Sequence, residues 1–189
     1  NKNGSDNGYL REGKGSVYEG GFRVPFAMQY KGVLSHGVYN NPISSMDIYA
    51  TMAGITGGKT NPDHPLDGVN LIPYLTNQKD GKPHETICLR KFDQKRFAVR
   101  HNDYKLVTRN AGEIKELYNL TKDVSEENNI IEEFPTIANE IDSIRAQWNS
   151  ELMDPVFLGL IHTDAWQRKA KMEEENNEII GWCSLSPHR

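Results

Sequence analysis

The chain has 189 residues, 37% of them hydrophobic and 25% charged, and its 22 Lys and Arg against 26 Asp and Glu leave a formal net charge of −4. That length holds one full domain or two small ones with a buried core. A mildly acidic chain with no Lys/Arg stripe lacks the electrostatic footprint of a nucleic-acid binder, and no apolar run approaches the ~20 residues that span a bilayer. Cys88 and Cys183 stand far apart with neither CxxC nor zinc-finger spacing, and read as two unpaired thiols. Asn1 opens no basic-then-apolar leader.

Along the chain, the first 35 residues are a glycine-rich loop: Gly4, Gly8, Gly13, Gly15, Gly20 and Gly21 mark backbone that turns sharply or approaches something closely. Ser44-Ser45-Met46-Asp47 predicts a capped helix start, with Ile48, Met52 and Ile55 on one face and Gly57-Gly58 as the stop. Residues 56–68 are turn punctuation, and residues 76–84 form the best linker candidate. The period then changes to two. Residues 85–92, 96–100, 104–108 and 115–120 predict four short strands of an antiparallel meander, with turns at Asp93-Gln94, Asn102-Asp103 and Asn110-Ala111-Gly112. Asn119-Leu120-Thr121, a glycosylation sequon, falls in a turn at its end. Ile137, Ile141, Ile144, Trp148 and Leu152 recur at helical spacing, predicting a helix over 136–152 that covers one sheet face, with Trp148 in the core. Asp164 can cap a last helix through Met172, ahead of the polar run from Glu173.

The chemistry-bearing residues lie near the amino end: Ser5-Asp6-Asn7-Gly8, Gly13-Lys14-Gly15, and Tyr18-Glu19-Gly20-Gly21-Phe22-Arg23-Val24-Pro25. Asp6 and Asn7 offer adjacent hard oxygens, one charged and one neutral, of the kind that calcium or magnesium takes; an Asp-Asn-Gly is equally a turn. Lys14 between two glycines is a point charge on a loop able to close over an anion, or an exposed loop lysine. Glu19 and Arg23 are spaced to pair.

In this order the motifs resemble the second half of the formylglycine-dependent sulfatases, arylsulfatase-like enzymes of the alkaline-phosphatase superfamily. Ser44 to Gly54, the Asp67-Gly68…Leu71…Pro73…Leu75 run, Arg100 to Leu106, and Glu116-Leu117-Tyr118-Asn119-Leu120 with Asp123, Glu127 and Asn128 extend the likeness over about residues 5–160. The resemblance implies an α/β, alkaline-phosphatase-like fragment. Residues 1–78 would end the catalytic domain, 79–160 would form an α+β subdomain of small antiparallel sheet and helix, and 161–189 a helical, partly disordered tail. It implies that Asp6 and Asn7 are calcium ligands and that Lys14 contacts the sulfate. Glu19 and Arg23, with Gly20 and Gly21, would hold the lysine loop from behind. His101, in the meander turn, is a candidate substrate-reading side chain, and His64 a weaker one.

The departures are informative too. No Cys/Ser-x-Pro-x-Arg nucleophile motif occurs, and Cys183-Ser184-Leu185-Ser186-Pro187 has the wrong spacing. The family's paired aspartates, which complete its metal site, are also missing. The chain therefore reads as the C-terminal part of a sulfatase, cut just before its calcium pair, whose partner is the N-terminal half. Alone it is expected to be inactive, because one carboxylate and one amide are too few for calcium and no activated nucleophile is present. The parent would act on sulfated sugars or aryl sulfates, and family habit places it in the periplasm or outside the cell. Two rivals stand beside this reading: a phosphodiesterase or phosphonate hydrolase of the same superfamily, and a non-catalytic module binding sulfated glycans.

Overall fold

The structure, a computed structural model, describes residues 6–157 together with 171 and 172. The expected tail helix, except its last two positions, lies outside the described residues, as do Trp166, Trp182 and Cys183.

Its centre is the predicted meander. Strands β1 (Thr86–Lys91), β2 (Arg96–His101), β3 (Tyr104–Arg109) and β4 (Ile114–Asn119) pair antiparallel in the order β1-β2-β3-β4. Register follows from the alternation: Cys88 faces Val99, Val99 faces Leu106, and Leu106 faces Leu117. A one-residue slip would turn that apolar set to the opposite face. The turns use left-handed residues at Lys95, Asn102, Asn110 and Ala111, with φ between 48° and 59°. Asparagine tolerates that conformation; Ala111 does so against its Cβ.

Both faces of the sheet are covered. On one, Val99, Leu106 and Leu117 pack against Ala138 and Ile141 of helix α4 (Pro135–Glu151), with Ile137 and Ile144 at the margin. Pro135 starts α4 where a missing N–H costs nothing. Trp148 is half-buried at the helix end, short of the predicted core position, because the contact with the sheet centres on Ala138 and Ile141. Lys115 of β4 and Arg145 of α4 both meet Asp142, at 2.8 and 2.6 Å. The free edge of β4 is closed by a segment of chain: Leu117 N–H donates to Asn129 Oδ1 and Ile130 N–H to Leu117 O.

The other face is covered by the glycine-rich amino-terminal segment. Val17 and Tyr18 pack on Ala98, Val107, Tyr118 and Leu120. Short helix α1 (Glu19–Phe22) follows directly. The core thus crosses the expected boundary at residue 78, and strands buried on both faces carry the fully buried β3 centre from Lys105 to Thr108.

Helix α2 (Asp47–Thr56) forms where predicted, but its buried residues are Asp47, Ala50 and Thr51. Ile48 and Met52 are 48% and 49% exposed. The side chain of Asp47 reaches back to Ser44 N–H (2.7 Å), giving half of the expected capping box, while Ser44 Oγ accepts Met46 N–H. Asp47 also accepts Val69 N–H and contacts His84 Nε2, joining α2 to the Asp67-Gly68 turn and to the linker before β1. Gly68 is required there, since a Cβ would stand 2.1 Å from Met46 O. Short helix α3 (Ile72–Leu75) completes this part.

Candidate functional site

The amino-terminal segment is folded by its own polar groups. Asp6 Oδ1 accepts Gly8 N–H at 2.8 Å, so Asp6-Asn7-Gly8 is a turn, with Gly8 in left-handed backbone at φ 59°. The side-chain nitrogen of Asn7 donates to Glu12 O (2.9 Å) and to Gly20 O (3.1 Å). Both partners are carbonyl oxygens, so the nitrogen faces them and Asn7 Oδ1 is turned away. The tripeptide is thus a turn, and Asp6 Oδ2 and Asn7 Oδ1 accept no hydrogen bond among the described residues. Two such oxygens fit part of a calcium shell, which takes about 6–8. No cluster of three His, Cys, Asp or Glu able to hold a metal occurs among the described residues.

Lys14 lies on the next bend, exposed, with no ion-pair partner among the described residues. The bend is closed by Ser16 N–H to Gly13 O and by Ser16 Oγ to Glu12 Oε2 (2.5 Å). From the sheet, Lys91 Nζ donates to Gly15 O at 2.6 Å. Behind it, the double glycine has a steric cause. A Cβ on Gly20 would lie 2.5 Å from both Arg11 O and Glu12 O, and one on Gly21 would lie 2.2 Å from Ser16 O.

Glu19 is buried, 2% exposed, and pairs with Arg23 at 3.4 Å as its spacing predicts. Its stronger partner is Lys105 of β3: Lys105 Nζ lies 3.0 Å from Glu19 Oε1 and 2.7 Å from Glu126 Oε1, and both Lys105 and Glu126 are 0% exposed. Glu126 Oε2 accepts Glu19 N–H at 2.6 Å, and Glu126 O accepts Arg11 Nη1 at 2.9 Å. Phe22 closes the cluster, its ring centroid 4.5 Å from Lys105 Nζ. Burial pushes the Glu126 carboxyl above the usual range, against the pull of Lys105. Nearby, Arg11 lies 4.0 Å over the Tyr18 ring and hydrogen-bonds Tyr118 Oη, whose pKa is pushed up to about 12 by burial and then by Glu116.

Asp123, Glu127 and Asn128 carry the family likeness after β4. Asp123 caps its turn by accepting the backbone N–H groups of Glu127 and Asn128, but the side chains that reach other elements are Glu126 and Asn129. Four acidic or amide residues in succession hide which of them points inward. Lys105 carried a readable signal, because it shares its strand parity with Val107, opposite apolar Ala98. A charged residue at an inward position demands a buried counter-charge. His101 has both ring nitrogens occupied by its own hairpin, Nδ1 by Thr86 Oγ1 (2.7 Å) and Nε2 by Asn102 Nδ2 (3.1 Å). His64 is exposed in the turn after α2, its N–H bonded to Asn61 O. A hollow lined by Tyr30, Val33, Gly54, Ile55, Asn70 and Ile72 includes none of Asp6, Asn7, Lys14 or His101.

Residues 12–154 match the family described as N-sulphoglucosamine sulphohydrolase, C-terminal. The chain belongs to this family. Among similar proteins, a sulfatase of Formosa agariphila is 32% identical over 148 residues, covering 70% of this chain and 27% of that protein. The uncharacterized sulfatase YdeN of Escherichia coli is 27% identical over 190 residues, covering 82% of this chain and 33% of that protein. Bovine arylsulfatase A is 36% identical over 105 residues, covering 54% and 20% respectively. The crystal structure of Ps i-CgsB in complex with k-i-k-neocarrahexaose superposes with a TM-score of 0.73 at 25% identity, over 87% of this chain and 36% of that one. This chain spans about a third or less of the length of the relatives it matches. The sheet–helix unit is thus the C-terminal part of the sulfatase fold, as the motif order implied.

Proposed function

We propose that this chain supplies the Asp6–Asn7 pair and the Lys14 loop to the active site of a sulfuric-ester hydrolase acting on sulfated sugars or aryl sulfates. The supporting observation is the folding of those residues into one hydrogen-bonded segment, with Asn7 clasping Glu12 and Gly20 on either side of Lys14. Family membership and the names of the relatives set the reaction class; the oligosaccharide in the Ps i-CgsB crystals is that protein's ligand and favours a sugar here by analogy. Asp6 Oδ2 and Asn7 Oδ1 would hold calcium, completed by carboxylates from outside this chain. When bound, calcium supplies positive charge to the sulfate oxygens, and formylglycine, also from outside this chain, supplies the attacking oxygen. Lys14 binds a non-bridging sulfate oxygen and offsets the charge that grows as the S–O bond breaks. Glu19 and Arg23 hold this segment from behind. The setting is periplasmic or extracellular.

The chain's partner is the remaining two thirds of the sulfatase polypeptide, seated on residues 24–66. Val24, Phe26, Ile48, Tyr49, Met52 and Leu66 are all exposed there, in keeping with an interior face awaiting its other half. The test joins this chain to that portion and follows hydrolysis of an aryl sulfate. Turnover should require calcium and fall at least tenfold in Asp6→Ala, and the isolated chain should give none. Undiminished, chelator-insensitive turnover in Asp6→Ala would remove the metal from this reading.

A further inference from the structure

The Lys14 bend is fastened to the sheet at two points that nothing in its own sequence announces. At one, Lys91 of β1 donates to Gly15 O, the carbonyl next to Lys14 (2.6 Å). At the other, Lys105 of β3 sits between Glu19 and Glu126, so that β3, the turn after β4 and helix α1 meet at one ammonium group. Glu126 holds this position in left-handed backbone, φ 57°, a conformation that persists in a non-glycine residue only where its surroundings impose it. Its two carboxylate oxygens and its carbonyl are all engaged, with Lys105, Glu19 N–H and Arg11. A buried ion cluster is weak support for stability, since apolar residues of similar volume often serve as well. What it supplies is direction: the cluster fixes where α1 begins, and through Gly20 and Gly21 where the bend from Arg11 to Ser16 lies.

We infer that Lys105, with Glu126, and Lys91 are positioning residues for the Lys14 bend, through which the C-terminal sheet sets the geometry of the proposed active-site segment. The assignment rests on the sulfatase reading only for its catalytic meaning; the mechanical claim stands apart from it and is tested without substrate. The probes are the hydrogen-bonded amides of Leu10, Ser16 and Gly20 in and beside the bend, against those of Val99 and Leu106 in the sheet. In Lys105→Met, hydrogen exchange at the bend amides should rise about tenfold or more while the sheet amides stay within about twofold. Lys91→Met, at a partly exposed site at the end of β1, should raise exchange at Ser16 in the same selective way, and Lys91→Arg, which keeps a donor for Gly15 O, should restore it. Should Lys105→Met fail to fold, the two Lys91 variants decide alone. Exchange that is unchanged in the bend, or that rises equally in bend and sheet, overturns the assignment. Failure of the sulfatase reading looks different: it leaves these exchange results intact and removes only the effect of Lys14 on turnover.

Discussion

Gly21 leaves no room for a methyl group, because a Cβ there would overlap Ser16 backbone at 2.2 Å. Backbone, unlike the end of a long side chain, cannot step aside cheaply. Gly21→Ala should lower stability by about 2–3 kcal/mol, read as a shift in urea midpoint, whereas alanine at Gly37, where a Cβ meets nothing, should leave it nearly unchanged. Dense glycine in the amino-terminal loop was legible as close approach, and this pair is where that reading is realised. Glu19 and Arg23 were legible as a pair from their spacing. Strand parity marks Lys105 as inward-facing, but the partners of Lys105, Glu126 and Lys91 lie 86, 107 and 76 positions away in sequence, and no local pattern identifies them.

At the scale of elements, the meander and α4 could be read because each obeys a single period: two along the strands, and 3.6 along a helix whose apolar stripe meets the sheet it was expected to cover. The second layer could not be read, because residues 11–22 cover the other face as loop and short helix, without periodicity. The α4–β4 contact also has a pH signature. Burial pushes the Asp142 carboxyl up, but hydrogen bonds and charge from Arg145 and Lys115 outweigh this and hold it below the usual carboxylate range. A lowered carboxyl contributes stability that is fully present above the ~3.9 of an unfolded aspartate and is lost as pH falls through the folded value. Thermal melts of Asp142→Asn should therefore lack part of the acid-side loss seen in the unmodified chain. Glu126, raised by burial, has the opposite sign, its contribution falling as pH rises, so the comparison is made between the two proteins at each pH.

On the scale of the whole molecule, one region leaves its apolar face exposed. Helix α2 has a regular apolar stripe, yet it buries Asp47, Ala50 and Thr51 and leaves Ile48 and Met52 outside. Period alone identifies an apolar face but not what meets it, which is why the helix was legible and its packing was not. If that face receives the rest of the sulfatase, Met52→Glu should leave the far-ultraviolet dichroism and urea midpoint of this chain nearly unchanged while weakening its association with the remaining polypeptide by about tenfold or more. An unaltered association would place the junction elsewhere.

The exposed ammonium of Lys14, on a loop whose backbone is held by Asn7 at Glu12 and Gly20 and by Lys91 at Gly15, is the group on which the proposed chemistry turns. The most direct measurement is kcat/KM for an aryl sulfate, with the assembled enzyme carrying Lys14→Ala and the unmodified enzyme side by side. A fall of about 10²–10³, the cost typical of removing one preorganised group that stabilises transition-state charge, is the expected result. Equal values in the two proteins, with the fold intact, would contradict a sulfate-binding role for this loop.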